Sequence, residues 1–253
     1  MTLYLIGLGL STEKDITLRG LELIKTCDII YLENYTSLLQ TSLESLEQQY
    51  QKKIILADRK TAEQLDEKIV EEAKTKNVAF LIIGDPVAAT THIELFKLAK
   101  EKNINVQIIH NASILTAIGT TGLQLYKFGK ITSIPFIEDV PLLETPYLIY
   151  RENNLLNTHT LFLLDLKPEQ KKFMTINKAL EILESIEKKK QENIIKKDTL
   201  VIGCARLGCE NYLIKAGPLE KIKQFDFGLP PYCLIIPAKN LHFIEKEMLE
   251  LWK

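Results

Sequence analysis

Cysteine is scarce in this chain: four in 253 residues, Cys27, Cys204, Cys209 and Cys233, with no C-x-x-C spacing. That excludes a disulfide framework and the cysteine clusters of structural zinc sites. Cys27 and Cys233 lie among apolar neighbours and read as small buried hydrophobes. No apolar run approaches the roughly 18 residues that span a bilayer. No basic segment followed by a long apolar one opens the sequence, so no signal peptide and a cytoplasmic, reducing setting are expected. Neither sign of charge is in excess: 32 Lys and Arg stand against 33 Asp and Glu, net −1. An electrostatic nucleic-acid binder would carry a basic surplus. The best basic stretch, residues 187–197 (EKKKQENIIKK), reads as the solvated end of a helix. The four histidines, His92, His110, His159 and His242, lack H-x-x-x-H and H-E-x-x-H spacing, so no metal is expected. There is no G-x-x-x-x-G-K-[ST] loop, no G-x-S-x-G elbow and no defensible Ser-His-Asp order. Signatures of nucleotide hydrolysis, acyl transfer and metal hydrolysis are therefore missing.

What is present points to a globular α/β protein. Hydrophobic residues make up 46%, too many for disorder. The most informative stretch is Leu81-Ile82-Ile83-Gly84-Asp85-Pro86-Val87-Ala88-Ala89-Thr90-Thr91-His92. An apolar run stops at Gly-Asp-Pro, small residues follow, and a helical pattern begins at Ile93. This reads as the carboxyl end of a parallel strand opening onto a loop, where open α/β sheets bind ligands. Gly84 allows close approach to the backbone, Pro86 fixes the turn, and Asp85 supplies a carboxylate.

Over the first 110 residues strand and helix patterns alternate. Strands are expected at 3–8, 29–32, 54–57, 78–83 and 106–110. Helices are expected at 17–25, 37–50, 61–75 and 93–102. This rhythm predicts a mainly parallel sheet covered on both faces. The second half differs. A small-residue helix at 113–122 and a strand at 131–136 lead into a segment punctuated by Pro135, Pro141 and Pro146, which reads as a connector or as the rim of a site. A buried strand at 159–166, a helix at 174–189, an antiparallel pair at 199–204 and 212–216, a strand at 232–236 and a helix at 241–252 follow. The expectation is two α/β domains, residues 1–112 with a mainly parallel sheet and residues 113–253 with a mixed one.

Three local motifs carry rival readings. Gly7-Leu8-Gly9 after the first strand suggests a dinucleotide fingerprint, but Thr12 holds the third glycine's place. A tight turn at a strand end fits better. Ser11, Thr12, Asp15 and Thr17 fit helix capping. Ile109-His110-Asn111-Ala112-Ser113-Ile114 ends the next strand, and Ser113 either caps the following helix or faces the Gly-Asp-Pro loop. His92 caps or lines that loop; the other three histidines read as structural or surface residues.

Several of these segments together resemble the diphthine synthase family of the tetrapyrrole-methylase class, S-adenosylmethionine-dependent methyltransferases. They are Leu3 to Leu10, Gly84-Asp85-Pro86 through His92, Ile109 to Ile114, Gly122-Leu123-Gln124-Leu125-Tyr126-Lys127-Phe128-Gly129, His159-Thr160-Leu161 with Leu163-Leu164-Asp165, and Ala205-Arg206 with Gly208. The likeness covers nearly the whole chain. It implies a homodimer of two-domain subunits with the methyl donor in the cleft between domains. It implies donor contacts at Leu10, Asp85, Ala88, Ser113, Ile114, Leu164, Leu207 and Tyr232. Tyr232 departs from a histidine common at that position in the family; tyrosine can stack and donate a hydrogen bond but cannot become a cation. Ala88 stands where relatives carry glycine. The implied substrate is translation elongation factor 2 bearing a 3-amino-3-carboxypropyl-histidine, whose amine, and in eukaryotic members also a carboxylate, is methylated to give diphthine in the diphthamide pathway. S-adenosylhomocysteine is the implied product, and no metal, membrane or nucleic acid is implied. Lys127 and Arg151 are candidates to meet the substrate's carboxylate. Transfer from a sulfonium needs alignment more than proton traffic, so no dedicated catalytic base is expected. The rivals are a methyltransferase of the same class acting on a porphyrin precursor or ribosomal RNA, and a catalytically silent donor-binding dimer.

Overall fold

A computed structural model describes residues 1–35, 37–57, 62–90, 92–138 and 143–253, with backbone alone at 62–64. Thr91 and Pro141, both singled out in the sequence, lie outside the described residues. The chain forms two units. The first comprises Met1–Ala117, Lys167–Gln170 and Gly208–Glu210; the second comprises Ile118–Leu166, Lys171–Leu207 and Asn211–Lys253.

The first unit is built on strands β1 (Thr2–Gly7), β2 (Ile29–Glu33), β3 (Ile55–Ala57), β4 (Val78–Ile82) and β5 (Asn105–Ile109). They run parallel in the order β3-β2-β4-β1-β5. Helices α1 (Leu18–Thr26), α2 (Leu43–Tyr50), α3 (Ala62–Glu72) and α4 (Ile93–Glu101) connect them, and α5 (Ile114–Ala117) follows β5. The chain leaves β1 and β2 in one direction across the sheet and β3 and β4 in the other. Right-handed crossovers put helices of opposite-going connections on opposite faces. The core divides accordingly. Ile24, Leu46 and Tyr50 of α1 and α2 pack with Ile6, Ile30 and Leu81. Ile69, Val70, Leu95 and Ala99 of α3 and α4 pack with Leu3, Leu5 and Phe80. Alternate residues of one strand serve the two faces, as the two-residue period of a strand requires. Burial on both sides is why β4 reads as the unbroken run Val78–Ile82, all buried.

The helices begin where capping chemistry allows. Thr17 accepts from the Gly20 amide and Ser42 from the Ser45 amide, each filling an orphan donor of a first turn. Helix α2 is shorter than its amphipathic pattern suggests, because Ser42 caps it in mid-stretch.

The second unit holds strands β6 (Thr132–Ile134), β7 (Thr160–Leu164), β8 (Leu166–Lys167), β9 (Lys172–Phe173), β10 (Leu200–Ala205), β11 (Leu213–Pro218) and β12 (Tyr232–Ile236), although Lys167 itself groups with the first unit. The main sheet is ordered β11-β10-β12-β7-β6. Only the β6–β7 pair is parallel; β7–β12, β12–β10 and β10–β11 are antiparallel. Helices α6 (Thr145–Leu155), α7 (Ile176–Lys190), α8 (Leu219–Ile222) and α9 (Phe243–Glu250) complete it. On α7 the residues Ile176, Ala179, Leu180, Leu183 and Ile186 form a buried stripe at helical spacing. Helix α6 corrects the expected proline-rich connector. Pro146 sits in its first turn, where a missing N–H costs nothing.

Candidate active site

The carboxyl ends of β4, β1 and β5 lie side by side in the first unit, and three loops interlock there. Beyond β1 the chain turns through Gly9 (φ 79°) and pairs with Gly84 (φ 86°): the Gly84 amide donates to the Gly9 carbonyl at 2.8 Å, and the Gly9 amide donates to the Gly84 carbonyl at 3.3 Å. Both glycines sit in the left-handed region that side chains resist. Asp15 accepts from the amides of Leu10 (3.2 Å) and Ser11 (2.7 Å) and so shapes the first loop. Asn111 ties two loops together by donating to the carbonyls of Gly7 (2.9 Å) and Asp15 (3.0 Å).

Gly7 is indispensable to this arrangement for a steric reason. A Cβ there would stand 2.6 Å from the Gly84 carbonyl oxygen, 2.8 Å from Asn111 Cβ and 3.0 Å from Pro86 Cδ. The bare tip of β1 is what lets the β4 and β5 loops meet across it.

They meet through Asp85. Its Oδ1 accepts from the Val87 amide (3.0 Å), an Asx-type turn. Its Oδ2 accepts from the Asn111 amide (3.1 Å) and lies 2.8 Å from His110 Nδ1. The carboxylate is 9% exposed, whereas the His110 ring is 67% exposed. The sequence reading treated His110 as structural or surface. The two residues are 25 positions apart on strands separated by β1, and only the sheet order brings them together.

The far end of the Gly-Asp-Pro loop is anchored separately. His92 Nε2 lies 2.5 Å from the Glu33 carboxylate at the end of β2, with both side chains buried. The His92 ring stands edge-on to Phe80, 5.2 Å between centroids. His92 precedes α4 without a side-chain cap bond.

Of the anticipated donor-binding residues, the first unit brings together Leu10, Asp85, Ala88, Ser113 and Ile114. The Ala88 amide donates to the Asp85 carbonyl (3.3 Å). Ser113 Oγ accepts from the Leu115 amide (2.9 Å), and Thr116 Oγ1 accepts from the Ser113 amide (3.3 Å), a reciprocal cap of α5. Leu10 is half-buried over Gly208, where a Cβ would approach its side chain to 2.6 Å, and its carbonyl accepts from Cys209 Sγ (3.7 Å).

The second unit gathers Leu164, Leu207 and Tyr232 at one end of its sheet. Tyr232 opens β12 opposite Ala205, the last residue of β10, and Cys233 pairs with Leu163 on β7. Leu164 and Leu207 are buried. Tyr232 donates its hydroxyl to the Gly228 carbonyl, and burial pushes its phenol above the usual range. The loop ahead of Tyr232 is gathered by Arg206, which donates to the carbonyls of Asn211 (3.2 Å), Phe227 (3.1 Å) and Leu229.

Lys127 and Arg151, proposed from sequence to meet a substrate carboxylate, are engaged internally. Lys127 Nζ donates to Glu245 (2.8 Å) and to the Asn240 carbonyl (2.6 Å). Arg151 pairs with Glu192 at 3.1 Å. Glu245 is the hub of a buried network that also takes His159 Nε2 (2.8 Å) and the amides of Gln124 (3.0 Å) and His242 (2.8 Å). Burial alone would raise its carboxyl; these donors outweigh it and hold the carboxyl down at about 2. Burial keeps the His159 imidazole below its ordinary range.

Residues 2–223 match the family Tetrapyrrole (Corrin/Porphyrin) Methylases, and the chain belongs to that family. It is an S-adenosylmethionine-dependent methyltransferase. Within the class its similarity runs to diphthine synthases. It is 45% identical to the diphthine synthase of Methanococcus aeolicus, covering 98% of this chain and 96% of that one. It is 42% identical to the diphthine methyl ester synthase of Dictyostelium discoideum, covering 100% and 98%. A crystal structure of diphthine synthase superposes with a TM-score of 0.90 at 36% identity, over 100% of this chain and 96% of that one. Among the described residues no three His, Cys, Asp or Glu side chains gather as a metal ion would need, and no helix is long and apolar enough to cross a membrane.

Proposed function

We propose that this chain methylates the amino group of a 3-amino-3-carboxypropyl-histidine on translation elongation factor 2, making diphthine. S-adenosylmethionine is the donor and S-adenosylhomocysteine the product. The observation that carries the reading is likeness from end to end. The family match stops at residue 223, but identity with the diphthine synthase of M. aeolicus covers 98% of the chain. That reach takes in α9, whose Glu245 holds Lys127 and the Gln124 amide of the Gly122–Gly129 run.

The residues present fit the donor. A carboxylate offers about four acceptor positions, and the hydrogen bonds of Asp85 use three. One remains on Oδ1 for the donor's amino group or a ribose hydroxyl. Gly84 is not crowded: a Cβ there would meet only the Ala112 carbonyl and Leu10 Cδ2, both at 3.9 Å, an ordinary contact. Ser113, Ile114, Ala88 and Leu10 of the first unit supply backbone polar groups and apolar cover for the donor. Bound there, the donor supplies a methyl carbon made electrophilic by its positive sulfur. That charge is lost on reaction, so a strong anionic grip at the sulfur would favour the ground state. Leucine, isoleucine and alanine in the proposed set avoid such a grip. Alignment then carries the rate enhancement, for which orientation is worth about 7–11 kcal/mol. The set works as a homodimer in this reading, in the cytoplasm.

The test is transfer of labelled methyl from S-adenosylmethionine to three acceptors in parallel: elongation factor 2 bearing the carboxypropyl-histidine, a porphyrin precursor and ribosomal RNA. Label on the factor alone, with the added mass of one or more methyl groups on the modified histidine, is expected. Label on either other acceptor, or on none, overturns the reading.

A further inference from the structure

The geometry points to His110 as the general base of the transfer, held by Asp85 and presenting Nε2 to the amine that takes the methyl group; this rests on the amine acceptor proposed above. The case begins with the hydrogen bonds at Asp85. Its Oδ2 already accepts from the Asn111 amide and lies 2.8 Å from His110 Nδ1. A carboxylate only accepts, so Nδ1 carries the hydrogen. In the neutral ring Nε2 is then left with its lone pair. Among the described residues no partner meets Nε2, and the ring is 67% exposed. The imidazole is therefore fixed at one nitrogen and open at the other, the arrangement of a base oriented by a third group.

Its position suits the task. His110 follows directly on β5 and precedes Ser113 and Ile114 by three and four residues; its carboxylate partner is Asp85 of the proposed donor set. Two carboxylates lie in the loops that meet there. Asp85 comes from the β4 loop, and Asp15, from the β1 loop, turns its carboxylate onto the Leu10 and Ser11 amides and meets Asn111 through its carbonyl. Asp15 is held by its own loop amides and Asp85 by three donors, one of them His110 itself, so the open nitrogen of the pair is Nε2.

The step balances simply. An aliphatic amine is an ammonium ion near neutral pH and has no lone pair to give. Nε2 takes one ammonium proton, and the N–H electron pair stays on the substrate nitrogen. That pair forms the new bond to the methyl carbon as the carbon–sulfur pair returns to sulfur. The imidazolium afterwards releases its proton to water. Histidine is suited to this because its ordinary titration falls between pH 5 and 8.

The experiment compares wild type with His110→Ala on carboxypropylated elongation factor 2 across a pH series. Donor affinity is measured by calorimetry, and imidazole is added to one arm. In the variant kcat should fall by about 10²- to 10⁴-fold near neutral pH, the usual worth of a positioned base. Donor affinity should stay within about threefold of wild type, a margin of under 1 kcal/mol. The deficit should shrink as pH rises and water deprotonates the amine, and imidazole should restore part of the rate. An unchanged kcat, or a loss equal at every pH and blind to imidazole, overturns the assignment while leaving the methyltransferase reading standing. A wild type that does not label the factor overturns both.

Discussion

Replacing Gly7 by alanine tests the site's architecture at one atom. The added Cβ would lie 2.6 Å from the Gly84 carbonyl oxygen, and two further atoms stand at 3.0 Å or less. One neighbour is a backbone oxygen, one a proline ring atom and one a Cβ fixed to its backbone, so none can swing aside. The β4 and β5 loops must part by several tenths of an ångström. Overpacking of this kind costs about 1–3 kcal/mol. Parting the loops also stretches the Asn111–Gly7 and Asn111–Asp85 hydrogen bonds, each worth about 1 kcal/mol net. The expected loss is about 3 kcal/mol. At roughly 2–4 °C per kcal/mol for a chain of this size, the melting temperature should drop by about 6–12 °C. Two other alanine variants separate the causes. Gly84→Ala meets nothing closer than 3.9 Å but must hold φ near 86°, a backbone cost of about 1–2 kcal/mol. Gly217→Ala on β11 meets Ile222 at 3.6 Å, an ordinary contact, and should change stability by less than about 1 kcal/mol, since glycine itself weakens a strand. Thermal melts followed by circular dichroism, paired with calorimetric titration of S-adenosylmethionine, give both readouts. Gly7→Ala should also weaken donor affinity, because Asp85 moves with its loop. A Gly7→Ala protein that melts within 1 °C of wild type and binds the donor normally would refute the close-packed tip.

Glu245→Gln strips the charge from a hub that faces Lys127 and His159; breaking a buried pair in this way costs about 3–5 kcal/mol, measurable from urea midpoints. The same hub sets an acid limb. Glu245 is held at about 2, so its stabilisation is complete above the unfolded carboxyl's range near 4.5 and is lost as pH falls from there toward 2. His159, lowered by burial, adds an earlier loss that begins as pH drops below about 6.5, where only the unfolded imidazole takes a proton. The variant should keep the earlier loss and lose the later one; identical profiles would refute the account. Arg206→Met leaves the Asn211, Phe227 and Leu229 carbonyls without their guanidinium donor, at about 1 kcal/mol or more each. A denaturation midpoint shifted by less than about 1 kcal/mol would show that Arg206 does not organise that loop.

Local patterns carried much of the fold. The five parallel strands and α1, α3, α4 and α7 were legible because each buries a face whose period, two or about 3.6, is written along the chain. Doubly buried β4 announced itself as an apolar run ended by Gly-Asp-Pro. Helix α6 was obscured because Pro146 looks the same in sequence whether it breaks a helix or starts one. Of the two readings of Ser113 the structure shows the cap, its hydroxyl accepting from the Leu115 amide at the start of α5.

The sequence by itself determined the strand ends, the small residues that follow them and the family they resemble, since these are properties of short segments. Only the tertiary structure decided what those ends meet. The order β3-β2-β4-β1-β5 sets Asp85 and His110 on either side of a glycine tip and Glu33 on His92, and in the second unit the packing of α9 turns Lys127 inward to Glu245. Such pairings join residues from 25 to 118 positions apart. No local period encodes them, because they are fixed by which buried faces pack together and not by the conformation of any one segment.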